Sequence, residues 1–252
     1  MDRNRGIRTY LFISFGWTYT FWISAAIISS QNSGWTGIQV LHFIGGVGPL
    51  LAAITVVTKI NNWRDFLSRC IKFSGFSPLI WLSIVAPMLT AIVASFISHG
   101  RIQLSSEFVN AGIGYALFLF FFGPLPEELG WRGVLFDLIN QQSMRKAQVI
   151  TAIVWFSWHL PLFFITGSYQ HGVGFATTGF FFWAVSLVIQ SIIMGYLYIF
   201  TDRSIASAIL FHYVVNLAGE AFEKNLITEI ITLITFAGIA LTLALIHPQH
   251  RK

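Results

Sequence analysis

The chain has 252 residues, of which 55% are hydrophobic and 10% charged, with a net charge of +5. An ordinary soluble domain has roughly a quarter of its residues charged, so this composition excludes one and indicates a bilayer protein. A nucleic-acid site is excluded as well, because no soluble face gathers the basic residues and no motif places them.

The apolar stretches are long and continuous, without the alternation of barrel strands, and read as spanning helices. They predict an all-α, polytopic membrane protein with about eight transmembrane helices in one bundle, at roughly 10–30, 38–58, 78–98, 108–139, 145–165, 177–200, 204–220 and 226–246. The first span is too long for a removable signal and is expected to stay as an anchor. No linker divides the chain, so residues 1–252 read as a single membrane domain.

Cytoplasmic loops are enriched in Lys and Arg, which gives an independent check on these spans. Arg3, Arg5, Arg8, Lys59, Arg64, Arg69, Lys72, Arg145, Lys146, Arg203, Arg251 and Lys252 fall on one side, against Arg101 and Lys224 on the other. Both termini are therefore expected to be cytoplasmic, in a multi-pass protein of the cell membrane. The net charge is read as this topology signal.

Between spans two and three, Trp63, Phe66, Leu67, Cys70, Ile71 and Phe73 alternate with basic residues, as in a helix lying on the membrane surface. Cys70 is the single cysteine, so no intramolecular disulfide can form, and it reads as an inert thiol. Gly45, Gly46, Gly48, Gly112 and Gly114 read as places of close helix approach.

Ionisable groups at membrane depth are costly and call for an explanation. Span four is overlong, and Gly123-Pro124-Leu125-Pro126 stands just before Glu127 and Glu128, so the helix is expected to kink or restart there. Adjacent residues differ by about 100° around a helix, so the two glutamates are expected to have different roles. Glu128 and Arg132, at i and i+4, suit an ion pair. That leaves Glu127 to face another element, as a general base must.

His159 follows Trp155 by one turn on span five, and His212 and Asn216 share one face of span seven. Counted along the helices, these groups lie at similar depth, roughly 12–21 Å from the cytoplasmic ends. The other histidines, including His42, are expected to stay outside this layer. A carboxylate with an imidazole can deprotonate water, and a second imidazole with a carboxamide can donate to an oxyanion, which is an inventory for amide hydrolysis. Two histidines and a glutamate could instead hold zinc.

Glu127-Glu128-x-x-x-Arg132, Trp155-x-x-x-His159 and His212-x-x-x-Asn216, in this order, resemble the type II CAAX prenyl endopeptidase family, which includes the bacterial CAAX protease and bacteriocin-processing membrane proteins. The resemblance covers about residues 123–217, the expected protease core. It implies an intramembrane glutamate endopeptidase without a metal or other cofactor, acting on a peptide or lipidated-protein substrate within the lipid bilayer. By position, Glu127 and His159 would activate water and His212 with Asn216 would form the oxyanion hole. Glu128, Arg132 and Trp155 would support them. The family's second motif usually begins with Phe where this chain has Trp155, which leaves the adjacent pocket's shape open. The short, loop-poor form resembles prokaryotic members, whose substrates need not be prenylated. A non-catalytic immunity or scaffold protein, or a transporter, could also use such a polar layer.

Overall fold

The computed structural model describes residues 1–31 and 35–247, so His250, Arg251 and Lys252 of the tail lie outside the described residues. Among the described residues every regular element is helical, with one isolated bridge between Leu104 and Phe222. Helix α1 (Arg3–Ser29) starts at Asp2, whose side chain accepts from the Arg5 backbone N–H at 2.9 Å. Span two divides at Val47 into α2 (Trp35–Gly46) and α3 (Gly48–Ile60), with Pro49 at the start of α3, where its missing N–H costs nothing.

Helix α4 (Trp63–Cys70) is followed by α5 (Pro78–His99), which Ser77 caps and Gly100 ends in the left-handed conformation. Span four is α6 (Ser106–Phe122), α7 (Pro124–Gly130), a π-helical turn (Trp131–Phe136) and α8 (Asp137–Asn140). Helix α9 (Met144–His159) tightens into a 3₁₀ segment (Leu160–Phe164) at Pro161. The short α10 (Tyr169–Val173) precedes α11 (Thr178–Phe200), α12 (Ile205–Ala221) and α13 (Leu226–Ile246).

Among the described residues seven helical stretches are long and apolar enough to cross a membrane, and α12 is a shorter apolar helix. With 17 residues α12 is about 26 Å long, just under a hydrocarbon core of about 30 Å. Its shortness fits its place: it packs between α5, α6, α7 and α11, inside the bundle. The fold is thus an all-α polytopic membrane bundle, with the expected eight helices present as seven long ones and one short one.

Of the five glycines expected at close helix approaches, Gly45 and Gly48 are such places, Gly46 has only an ordinary contact with the Phe122 carbonyl at 3.9 Å, and Gly112 and Gly114 have none. A Cβ on Gly45 would lie 2.3 Å from the Trp22 ring, and one on Gly48 would lie 2.2 Å from Thr18 Oγ1, so α1 and span two meet at these glycines. At Gly112 and Gly114 a Cβ would meet nothing within 4 Å. Gly112 serves the backbone instead, since its φ of 69° and ψ of −171° kink α6.

The surface helix expected near 59–77 is confined to α4, and it is not simply superficial. Phe66 and Arg69 turn into the bundle and are buried, while Leu67, Ile71 and Phe73 face outward. Burial pushes the Cys70 thiol above its ordinary value, which lowers its reactivity.

The basic segments gather at one end of the molecule. Gly6 lies against Leu138, Arg203 bridges Asp65 and Asp137, and His247 packs on Tyr196 and Phe200. Lys224, exposed beyond the far end of α12, sits over the Tyr169 ring at 4.1 Å.

Candidate active site

Gly123 breaks span four, with φ −126° and ψ −96°, and Pro124 and Pro126 start α7 in a first turn that needs few backbone donors. A Cβ at Gly123 would press on the Leu119 carbonyl at 3.2 Å and would touch Asn216 Nδ2 at 3.4 Å. The restarted helix sends its two glutamates to different places. Glu127 lines a cavity, whereas Glu128 is fully buried in packed protein.

Glu128 is consumed by neighbours. Arg132 Nη1 donates to both its oxygens, at 3.0 and 2.8 Å, and His212 Nδ1 lies 2.9 Å from Oε1. Arg132 is held further by Nη2 donating to Ser191 Oγ at 2.9 Å and to the Ser191 carbonyl at 3.2 Å. Its guanidinium lies 5.3 Å over the Trp155 ring. The pairing and hydrogen bonding offset the desolvation of a charge placed in the interior.

Glu127 has a different partner, since its Oε2 accepts from the Trp155 indole N–H at 2.8 Å. The same residue's backbone carbonyl lies 2.8 Å from His159 Nδ1. A carbonyl can only accept, so Nδ1 carries the proton and Nε2 of neutral His159 is an acceptor. Trp155 therefore touches both members of the expected water-activating pair.

On α12, His212 and Asn216 lie one turn apart. His212 is oriented by Glu128 through Nδ1, and the Asn216 carboxamide has no hydrogen-bond partner among the described residues. Glu127, Trp155, His159, His212 and Asn216 line one cavity of about 740 Å³, within the range of a ligand site. Glu128 and Arg132 lie outside its lining. The cavity extends to Glu223 and Lys224, so it opens at the end of the bundle away from the basic segments.

Three features of the cavity go beyond the sequence reading. His42 lines it, contrary to the expectation that this histidine stays apart, because the cavity reaches past the inner layer toward Glu223 and Lys224. Trp183 packs edge-on to the His159 ring at 5.7 Å. Glu220 lines the cavity with Tyr115, whose hydroxyl donates to Glu220 Oε2 at 3.2 Å. Glu220 continues the four-residue spacing of His212 and Asn216, a signal that was present in the sequence. Among the described residues no three His, Cys, Asp or Glu side chains are gathered as a metal-binding set.

Residues 109–218 match the family model of type II CAAX prenyl endopeptidases, Rce1-like. The matched segment contains Glu127, Glu128, Arg132, Trp155, His159, His212 and Asn216. A CAAX prenyl protease 2 of Methanococcus maripaludis is 29% identical to this chain over 245 residues, covering 89% of this chain and 88% of the relative. These likenesses support a CAAX endopeptidase function in a multi-pass membrane protein. Over residues 109–218 the chain is thus similar to the Rce1-like type II CAAX prenyl endopeptidases.

Proposed function

We propose that this protein is an intramembrane endopeptidase that hydrolyses a prenylated CAAX-type tail, or another hydrophobic peptide, with a water activated by Glu127 and His159. The observation that carries the reading is the cavity in which Glu127 and His159, both held by Trp155, face His212 and Asn216. The Glu127 carboxylate takes a proton from water while His159 Nε2 accepts its second hydrogen, and the oxygen attacks the scissile carbonyl carbon. Asn216 Nδ2–H donates to the resulting oxyanion. His212, oriented through Nδ1 by Glu128, stands one turn from Asn216 on the same helix as the second group beside the oxyanion. Glu127 then returns the proton to the leaving amine as the carbon–nitrogen bond breaks.

Glu128 and Arg132 hold His212 in place, and neither takes part in the bond changes. No metal or other cofactor enters this scheme. Purified protein is expected to cleave a farnesylated CAAX peptide with or without EDTA. Loss of cleavage in EDTA, restored by added zinc, would overturn the metal-independent part.

The Lys and Arg distribution supports cytoplasmic termini. With that orientation, the cavity mouth at Glu223 and Lys224 faces the opposite side of the membrane, which favours substrates presented there over a cytosolic tail. Intact cells carrying Cys70→Ser and Lys224→Cys are expected to react with a membrane-impermeant maleimide. Labelling only after the cells are opened would reverse the orientation and restore a cytosolic substrate.

A further inference from the structure

We infer that Trp155 is a positioning residue for the reaction proposed above: its indole N–H fixes Glu127 while its carbonyl fixes His159, so one residue sets the geometry of the pair. The inference rests on that hydrolytic reading and adds a role to the place where this chain departs from the family's usual phenylalanine.

The indole has little freedom. It is almost fully buried, with His159 packed edge-on at 5.4 Å, His212 edge-on at 5.2 Å and the Arg132 guanidinium over its face at 5.3 Å. Contacts on several sides hold the ring, so the direction of its N–H is held as well. That N–H is a donor only, and it occupies Glu127 Oε2 at 2.8 Å. Oε1 is then the oxygen left for water.

A phenylalanine in this place would keep the ring contacts and lose the donor. Glu127 would then lose the indole donor at 2.8 Å, and its carboxylate would be freer to rotate about χ3. The separation of functions is therefore testable: the ring packs, and the N–H aims. Displacement of a general base by about an ångström is enough to cost a large part of the rate.

The test compares Trp155→Phe, a protein with 3-benzothienylalanine at 155, and Glu127→Gln, all on the farnesylated CAAX peptide. The benzothienyl side chain has the shape of indole with sulfur in place of N–H. Both Trp155 replacements are expected to lower kcat by about tenfold to a hundredfold while KM stays within about twofold, as loss of a hydrogen bond to a charged group would. Independently of activity, the ¹⁵N-indole resonance that disappears in Trp155→Phe is expected to move upfield in Glu127→Ala.

The outcomes separate the two claims. Full activity in Glu127→Gln overturns the hydrolytic reading itself. Loss of activity in Glu127→Gln with an unchanged kcat in the benzothienyl protein overturns the positioning role alone, as does an indole resonance that ignores Glu127→Ala.

Discussion

Two groups of acids, arginines and aromatic side chains stand at different levels of this bundle, and they differ in what is left unpaired. At the basic end, Arg69 Nε donates to Asp65 at 2.9 Å and its Nη1 to the Tyr198 hydroxyl at 2.8 Å. Tyr198 donates to Asp137 at 2.8 Å, and Arg203 bridges Asp137 at 2.9 Å and Asp65 at 3.2 Å. In the inner layer Glu128 is similarly spent on Arg132 and His212, but Glu127 and Asn216 face a cavity. Composition does not distinguish the groups. A carboxylate with an open valence beside space for a substrate does.

If this contrast is right, substitutions in the two groups should fail in different ways. After loss of Glu127 itself, the largest effect is expected for His159→Ala, which should lower kcat/KM by about 10²- to 10⁴-fold while the protein stays folded. A folded and fully active variant would remove His159 from the inner site.

Next is Arg132→Met, which leaves Glu128 buried without its main partner and should cost about 3–5 kcal/mol in thermal or denaturant unfolding in detergent. An inactive variant of wild-type stability would instead place Arg132 in the chemistry. Asn216→Ala is expected to reduce kcat by about 10²- to 10³-fold with little change in stability, as removal of an oxyanion donor does.

At the basic end, Tyr198→Phe should lose about 1–2 kcal/mol of stability through its missing hydroxyl bonds, with kcat unchanged. The smallest effect concerns the exposed Lys72–Asp202 pair. The hydrogen bond from Lys72, and then its charge, hold the Asp202 carboxyl below the ordinary carboxylate range. Its stabilising contribution is therefore present above about pH 4 and is lost as pH falls through the lower folded value. Asp202→Asn should remove this small acid dependence in Tm measurements and leave cleavage at neutral pH unchanged.

The inner group was largely legible in the sequence because each part depends on local spacing. Glu128 and Arg132, and His212 and Asn216, are one turn apart, and the prolines before Glu127 require the helix to restart. What the sequence did not reveal depends on contacts between distant segments. The Trp155 indole meets Glu127 across 28 positions, a relation that no periodicity encodes. Gly112 was expected to pack a neighbour and instead bends the backbone, since glycine permits both uses. His42 joins the cavity because the cavity reaches beyond the inner layer, an extent set by packing between helices that no single apolar run encodes.

The central claim, that open valences in the inner layer carry the hydrolysis, is tested most directly by mass spectrometry of the peptide products. Wild type, Glu127→Gln and Tyr198→Phe would be given the same farnesylated CAAX peptide. The account predicts that wild type and Tyr198→Phe release the C-terminal tripeptide and that Glu127→Gln releases none above background. Equal release by Glu127→Gln would contradict it.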